Sequence, residues 1–164
     1  MEIRDIYDAK GQKKGYTKDR SLGLLRDEYI MVAGVIVISR GQVLLTQRAL
    51  TKTFPGEWEF TMGSAQAGEA PIQTARRELK EEVGIQVEEE DLEYLGYLCF
   101  AQRHQYIYLL ERDIDEISLQ EEEVIDYRFV DFDNFQRMLE ENMAAPMKKR
   151  LEYFMEIIKK RLGA

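Results

Sequence analysis

The stretch GSAQAGEAPIQTARRELKEEVGI, residues 63–85, decides how this chain is read. Gly63 is followed after five residues by Glu69, after seven more by Arg77-Glu78-Leu79, then after single residues by Glu81-Glu82 and Gly84-Ile85. Taken as a helix from Ile72 to Val83, each residue advances about 100° around the axis. Ile72, Ala75, Leu79 and Val83 then form a narrow apolar stripe suited to packing on a sheet. Glu78, Glu81 and Glu82 stand at i, i+3 and i+4, so their carboxylates converge on one flank beside that stripe, while Arg76, Arg77 and Lys80 leave the axis elsewhere. Pro71 suits the first turn, where its missing N–H has no helical partner, and Gly84 suits the left-handed residue just past the end.

Like charges three and four residues apart cost a few tenths of a kcal/mol per pair on an exposed helix. A hard cation offsets that repulsion, because Mg2+ takes oxygen ligands, commonly one or two carboxylates completed by waters and phosphate oxygens. A plain solvated face is the ordinary account of acidic runs on a helix. Solvation alone, however, does not call for Gly63, Glu69, Arg77 and Gly84 at these separations.

These nine spaced positions resemble the Nudix box of the Nudix hydrolases. Outside it, Val43 to Arg48 followed by Pro55-Gly56-Glu57-Trp58 resembles the family's lead-in. Glu122-Glu123-Val124 with Arg128-Phe129-Val130 resembles its later acidic loop and closing strand. The start, Asp5-Ile6-Tyr7-Asp8 with a Gly-containing turn, resembles the subgroup related to isopentenyl diphosphate isomerase. The resemblance implies an α/β protein with the Nudix fold, an α/β/α sandwich around a mixed β-sheet. It implies that Glu78, Glu81 and Glu82 with the carbonyl of Gly63 hold Mg2+, with Mn2+ as the alternative, and that Arg77 orients a carboxylate such as Glu69 or Glu78. The base that activates water lies in the box, at Glu78 or Glu81, or in the loop at Glu121, Glu122 or Glu123. Hydrolysis of a diphosphate linkage in a nucleoside diphosphate derivative or similar organic diphosphate follows as the expected activity.

At 164 residues and 45% hydrophobic content, one domain with a sizeable core is expected over 1–164. The formal charge of −8 argues against a nucleic-acid-binding surface and for a small-molecule substrate. One cysteine excludes an internal disulfide framework, no apolar run reaches membrane-spanning length, and the polar start is not a signal peptide, so the cytoplasm is the expected compartment.

Along the chain, an N-terminal hairpin is expected near 2–17. Further strands are expected at 29–38, 42–47, 94–101, 105–111 and 127–130, with helices at 133–142, capped by Asp133, and at 147–162. Leu151, Phe154, Met155, Ile158 and Leu162 form the last helix's apolar stripe, read as packing on the domain before a homodimer contact. Cys99 reads as a buried small hydrophobe and His104, the only histidine, as a surface residue in a hairpin turn. Arg48, Lys52 and Arg103 are the cations expected near phosphate oxygens, and Trp58 and Tyr106 are candidates for stacking on a base.

Two competing activities make different demands on the residues. A metal-dependent isopentenyl diphosphate isomerase needs a cysteine just before the box and several histidine ligands. Here that stretch is Phe60-Thr61-Met62 and a single histidine exists. A non-catalytic, nucleotide-binding Nudix domain usually loses box glutamates, and this one retains all of them.

Overall fold

The computed structural model describes residues 2–164; Met1, the first residue of the range read as one domain, lies outside it. The chain opens with β1 (Ile3–Tyr7) and β2 (Lys13–Asp19), an antiparallel pair where a hairpin is expected. β3 (Ile30–Ser39), β4 (Gln42–Arg48), β5 (Trp58–Glu59) and β6 (Thr61–Ser64) lead into α1 (Pro71–Val83). After a short 3-10 turn come β7 (Glu93–Phe100), β8 (Arg103–Glu111) and β9 (Val124–Val130), then α2 (Phe132–Glu141), α3 (Ala145–Tyr153) and α4 (Met155–Arg161).

Every residue of β3 is buried. Its side chains alternate between two apolar layers, as successive Cβ atoms must. Ala33, Val35 and Val37 meet Ala75, Leu79 and Val83 of α1, whereas Ile36 and Ile38 meet Phe135, Leu139, Leu151 and Ile158 of the C-terminal helices. That is the α/β/α sandwich. Because both faces are covered, the strand is a continuous apolar run instead of an alternating one.

The seven-stranded sheet is mixed, with β3 parallel to β8 from Ile30 against Arg103 to Ile38 against Glu111. The other edge of β3 is shared: β6 pairs with Val32 to Val35, while β4 keeps only Ile38 and Ser39. β4 then turns to β9 and β5. The sheet forks there, and the β6 branch runs directly into the box helix.

Four local expectations are corrected. The β7–β8 turn is Ala101-Gln102, both at positive φ, which puts His104 inside β8. His104 is only 1% exposed, with Tyr97 Oη 2.6 Å from its Nδ1 and the Asp8 carbonyl 2.8 Å from its Nε2. Cys99 is exposed, because β7 ends the sheet and its register faces this side chain to water. Asp131, not Asp133, caps α2 and accepts from the Asn134 N–H at 2.9 Å. The last helix breaks at Phe154 (φ −100°, ψ 11°), yet Leu151, Phe154 and Ile158 still bury one stripe. Among the described residues no helix is long and apolar enough to cross a membrane.

Candidate active site

α1 starts after Ala70, whose extended backbone (φ −81°, ψ 159°) lets its N–H reach the side chain of Gln73 at 2.8 Å. It stops at Gly84 with φ 74°, where a side chain would also crowd Ser118. The loop after β8 closes this end: Ser118 N–H donates to the Val83 carbonyl at 3.0 Å and Gln120 N–H to the Glu82 carbonyl at 3.1 Å. Orphan carbonyls of the last turn are thereby satisfied, and 118–123 is pinned beside the box glutamates.

Arg77 organises the flank. Its guanidinium donates to both oxygens of Glu69 at 2.8 and 3.0 Å, to Glu78 at 2.9 Å, to Glu81 at 3.0 Å and to the Ser64 carbonyl at 3.0 Å. Burial opposes its charge, but the hydrogen bonds and charges of these glutamates outweigh that and hold it above its ordinary value. Glu78 lies against β6 so closely that a Cβ on Gly63 would stand 2.2 Å from its carboxyl carbon. Only glycine leaves room there for the carboxylate.

Glu82 is 4% exposed, and its Oε2 has no hydrogen-bond partner. Burial, then the like charges of Glu78 and Glu59, push its carboxyl well above the usual range. Burial also raises Glu78, against the pull of Arg77, and Glu59, against the pull of Arg48. Arg48 grips Glu59 at 2.8 and 3.1 Å and the Thr53 carbonyl at 2.6 Å. Lys52 pairs with Glu123, and burial lowers the lysine.

Among the described residues, no three acidic, imidazole or thiol groups stand close enough to enclose an ion as they are. The donor set nonetheless fits a hard divalent cation. Three carboxyls crowded into low dielectric, one with a free oxygen, are what a cation charge would relieve.

These groups line one cleft of about 630 Å³ at the fork of the sheet. It brings together Gly63, Glu78, Glu81, Glu82, Glu123, Arg48, Lys52, Trp58 and Arg103. Tyr106 and Glu122 are not among its lining residues. Tyr106 pairs with Ala33 and shares its face toward α1, so its ring packs near Tyr97, whereas Glu122 is an exposed loop residue. Trp58 is mostly core, 6% exposed, with Arg128 stacked 4.8 Å from its ring. Arg77 sits behind the lining, holding carboxylates.

Two contributors escape sequence reasoning. Glu59 is a buried acid on a two-residue strand. Arg150, from α3, donates to fully buried Gln105; burial, then nearby Arg103, pushes it down to about 10. Neither lies within the spaced signature, and nothing local to either points at the cleft.

The family model for the NUDIX domain matches residues 28–154. A protein of Listeria monocytogenes described as an uncharacterized Nudix hydrolase is 30% identical over 135 residues, covering 79% of this chain and 80% of that protein. An 8-oxo-dGTP diphosphatase of Haemophilus influenzae is 46% identical over 55 residues, 34% of this chain and 40% of that protein. The fold matches a crystal structure of a Deinococcus radiodurans protein with a TM-score of 0.77 at 18% identity, over 93% of this chain and 98% of that one. With the box glutamates gathered on one flank of α1, at a cleft in a forked mixed sheet, the chain belongs to the Nudix family and is a hydrolase of phosphoanhydride bonds.

Proposed function

We propose that this enzyme uses Mg2+, with Mn2+ as a substitute, to hydrolyse a diphosphate linkage in a nucleoside diphosphate derivative or similar organic diphosphate. The observation that carries this is the buried, unpartnered Oε2 of Glu82 beside Glu78, at the acidic end of a cleft large enough for a nucleotide.

Glu78 and Glu82, with Glu81 and the carbonyl of Gly63, would hold the ion, and Arg77 keeps Glu78 and Glu81 in place for it. A bound divalent ion would polarise a phosphoryl oxygen and acidify a water. Of the loop carboxylates only Glu123 is at the cleft, and Lys52 holds it there. We assign it the proton taken from the attacking water. Lys52 faces the charge of the diphosphate; Arg48 is already engaged by Glu59 and serves to position that acid. The absence of cysteine and histidine from the cleft's lining favours hydrolysis over isomerisation. The lone cysteine and acidic charge support a cytoplasmic enzyme acting on a small molecule.

The test is turnover of nucleoside di- and triphosphates, dinucleoside polyphosphates, nucleotide sugars and prenyl diphosphates, with Mg2+ titrated. Saturable metal-dependent release of phosphate or a nucleoside monophosphate is expected. Metal-independent turnover, or conversion of a prenyl diphosphate without hydrolysis, would overturn the proposal.

A further inference from the structure

Beside the catalytic cleft lies a second pocket of about 440 Å³, joined to it through Arg20, Ser64, Ala101 and Arg103, which line both. Three arginines line it, Arg4 from β1, Arg20 from just after β2 and Arg103 from the first position of β8, and no carboxylate does. Arg20 pairs with Glu2 at 2.7 Å, each about half exposed. Among the described residues Arg4 and Arg103 have no acidic partner. Arg4 Nε is buried with no acceptor at all, and its Nη2 reaches only the Leu22 carbonyl at 3.4 Å. Arg103 gives one N–H to the Ala101 carbonyl at 2.8 Å. Burial, then the charges of Arg20 and Arg103, hold Arg4 below its ordinary value, and burial does the same to Arg103.

Packing two guanidinium groups that have no acidic partner beside a third whose one partner is half exposed is unfavourable, and leaving a buried N–H unsatisfied adds to that. A phosphate dianion answers both faults, because the planar fork of arginine matches two phosphate oxygens at once. The pocket's position limits which phosphate this is. Ser64, one residue beyond Gly63, lines both spaces, so a ligand whose diphosphate lies at the glutamates can extend along β6 into the arginines. We propose that Arg4, Arg20 and Arg103 bind a second, non-scissile phosphate at the far end of the substrate. The favoured substrate class is then a diphosphate that also carries a phosphate ester elsewhere. This rests on the glutamate end receiving the scissile diphosphate, and it adds a specificity determinant built by the N-terminal hairpin. Arg4 and Arg20 precede the 28–154 stretch shared with the family.

The first test needs no metal and no turnover. Inorganic phosphate is titrated into the full-length protein at constant ionic strength, followed by thermal melts and by the 31P line width. A saturable rise in Tm is expected, with affinity at least about tenfold weaker in Arg4→Gln and in Arg20→Gln, the scale of losing one charge-assisted hydrogen-bond pair. Arg20 is half exposed, so that variant poses little folding risk even where Arg4→Gln does. No saturable effect in the wild type, or equal affinity in Arg20→Gln and wild type, overturns the site.

The second test asks where the phosphate comes from. Metal-free affinities are compared within two pairs that differ by one phosphate ester, NADP+ against NAD+ and coenzyme A against its 3′-dephospho form. A preference of at least about tenfold for the phosphorylated member of either pair, falling toward one in Arg20→Gln, supports the substrate assignment. Phosphate binding with no preference in either pair means a free anion occupies the pocket and overturns it. Repeating the phosphate titration in Glu82→Gln separates the two proposals: lost turnover with intact phosphate binding bears on the metal site alone.

Discussion

Replacing Glu82 by glutamine should do two opposite things, one to turnover and one to the metal-free fold. Glu82 is 4% exposed and is faced by Glu78 on its own helix, by Glu59 from β5 and by Lys52 from the loop after β4. Its folded pKa is raised well above the ordinary 4.5, burial being the main cause. A carboxyl raised on folding binds more protons in the native state, so stability is fully present below about pH 4.5 and falls as pH climbs toward the folded pKa. Each pH unit inside that window removes up to about 1.4 kcal/mol. For a chain of this size that corresponds to roughly 3–6 °C in Tm. Glutamine keeps the shape without the charge and removes the pH dependence. Glu82→Gln should therefore melt at least about 3 °C above wild type at pH 8 with chelator present, and at about the same temperature near pH 4.5. Added Mg2+ should close or reverse the gap, because binding the native state alone stabilises it by mass action. In the same variant kcat at saturating Mg2+ should drop at least about 10²-fold, the floor set by losing a positioned acid-base group. A variant that melts below wild type at pH 8, or keeps near-wild-type turnover, refutes the account of Glu82 as a buried carboxylate awaiting a cation.

Gly63→Ala drives a methyl into the Glu78 carboxylate. We expect a loss of roughly 1–3 kcal/mol by denaturant titration and a tenfold or greater drop in kcat; an active, fully stable variant means Glu78 has room to move. Arg77→Lys keeps the charge but loses the fork that binds Glu69, Glu78 and Glu81 together, and should lower stability by roughly 2 kcal/mol with a matching fall in metal affinity. Unchanged Mg2+ titration curves would count against its orienting role. Glu123→Gln should reduce kcat by about 10² or more, whereas Glu122→Gln, off the cleft, should stay within about twofold; parallel kcat measurements with the effects reversed would move the base to Glu122. Cys99 is exposed and outside the cleft, so a thiol reagent should label it in the native enzyme with activity retained. Activity lost in step with labelling would revive a covalent or isomerase mechanism.

Local geometry was legible in the residues because it repeats over one or two turns. The helix carrying Glu78, Glu81 and Glu82, its Pro71 start and its Gly84 stop all follow from a period of 3.6 residues and the backbone needs of helix ends. The strands expected at 29–38 and 42–47 were equally visible, whereas the cover on both faces of β3 emerged only from the packing of α1 and the C-terminal helices. What failed to show were facts that depend on which strand neighbours which. A shift of the β7–β8 turn to Ala101-Gln102 carries His104 into the interior, where Tyr97 and the Asp8 carbonyl satisfy its ring nitrogens, and leaves Cys99 on an edge strand facing water. The parity of β8 sends Gln105 and Tyr106 to opposite faces, so the aromatic candidate misses the cleft while its neighbour holds Arg150. Glu59 reaches the box carboxylates because the sheet forks, and Arg4, Arg20 and Arg103 meet because a hairpin at one end of the chain packs beside β8. No short-range pattern encodes these meetings. They are set by strand pairing and layer packing between residues tens of positions apart, and that is where the cleft acquires its second wall.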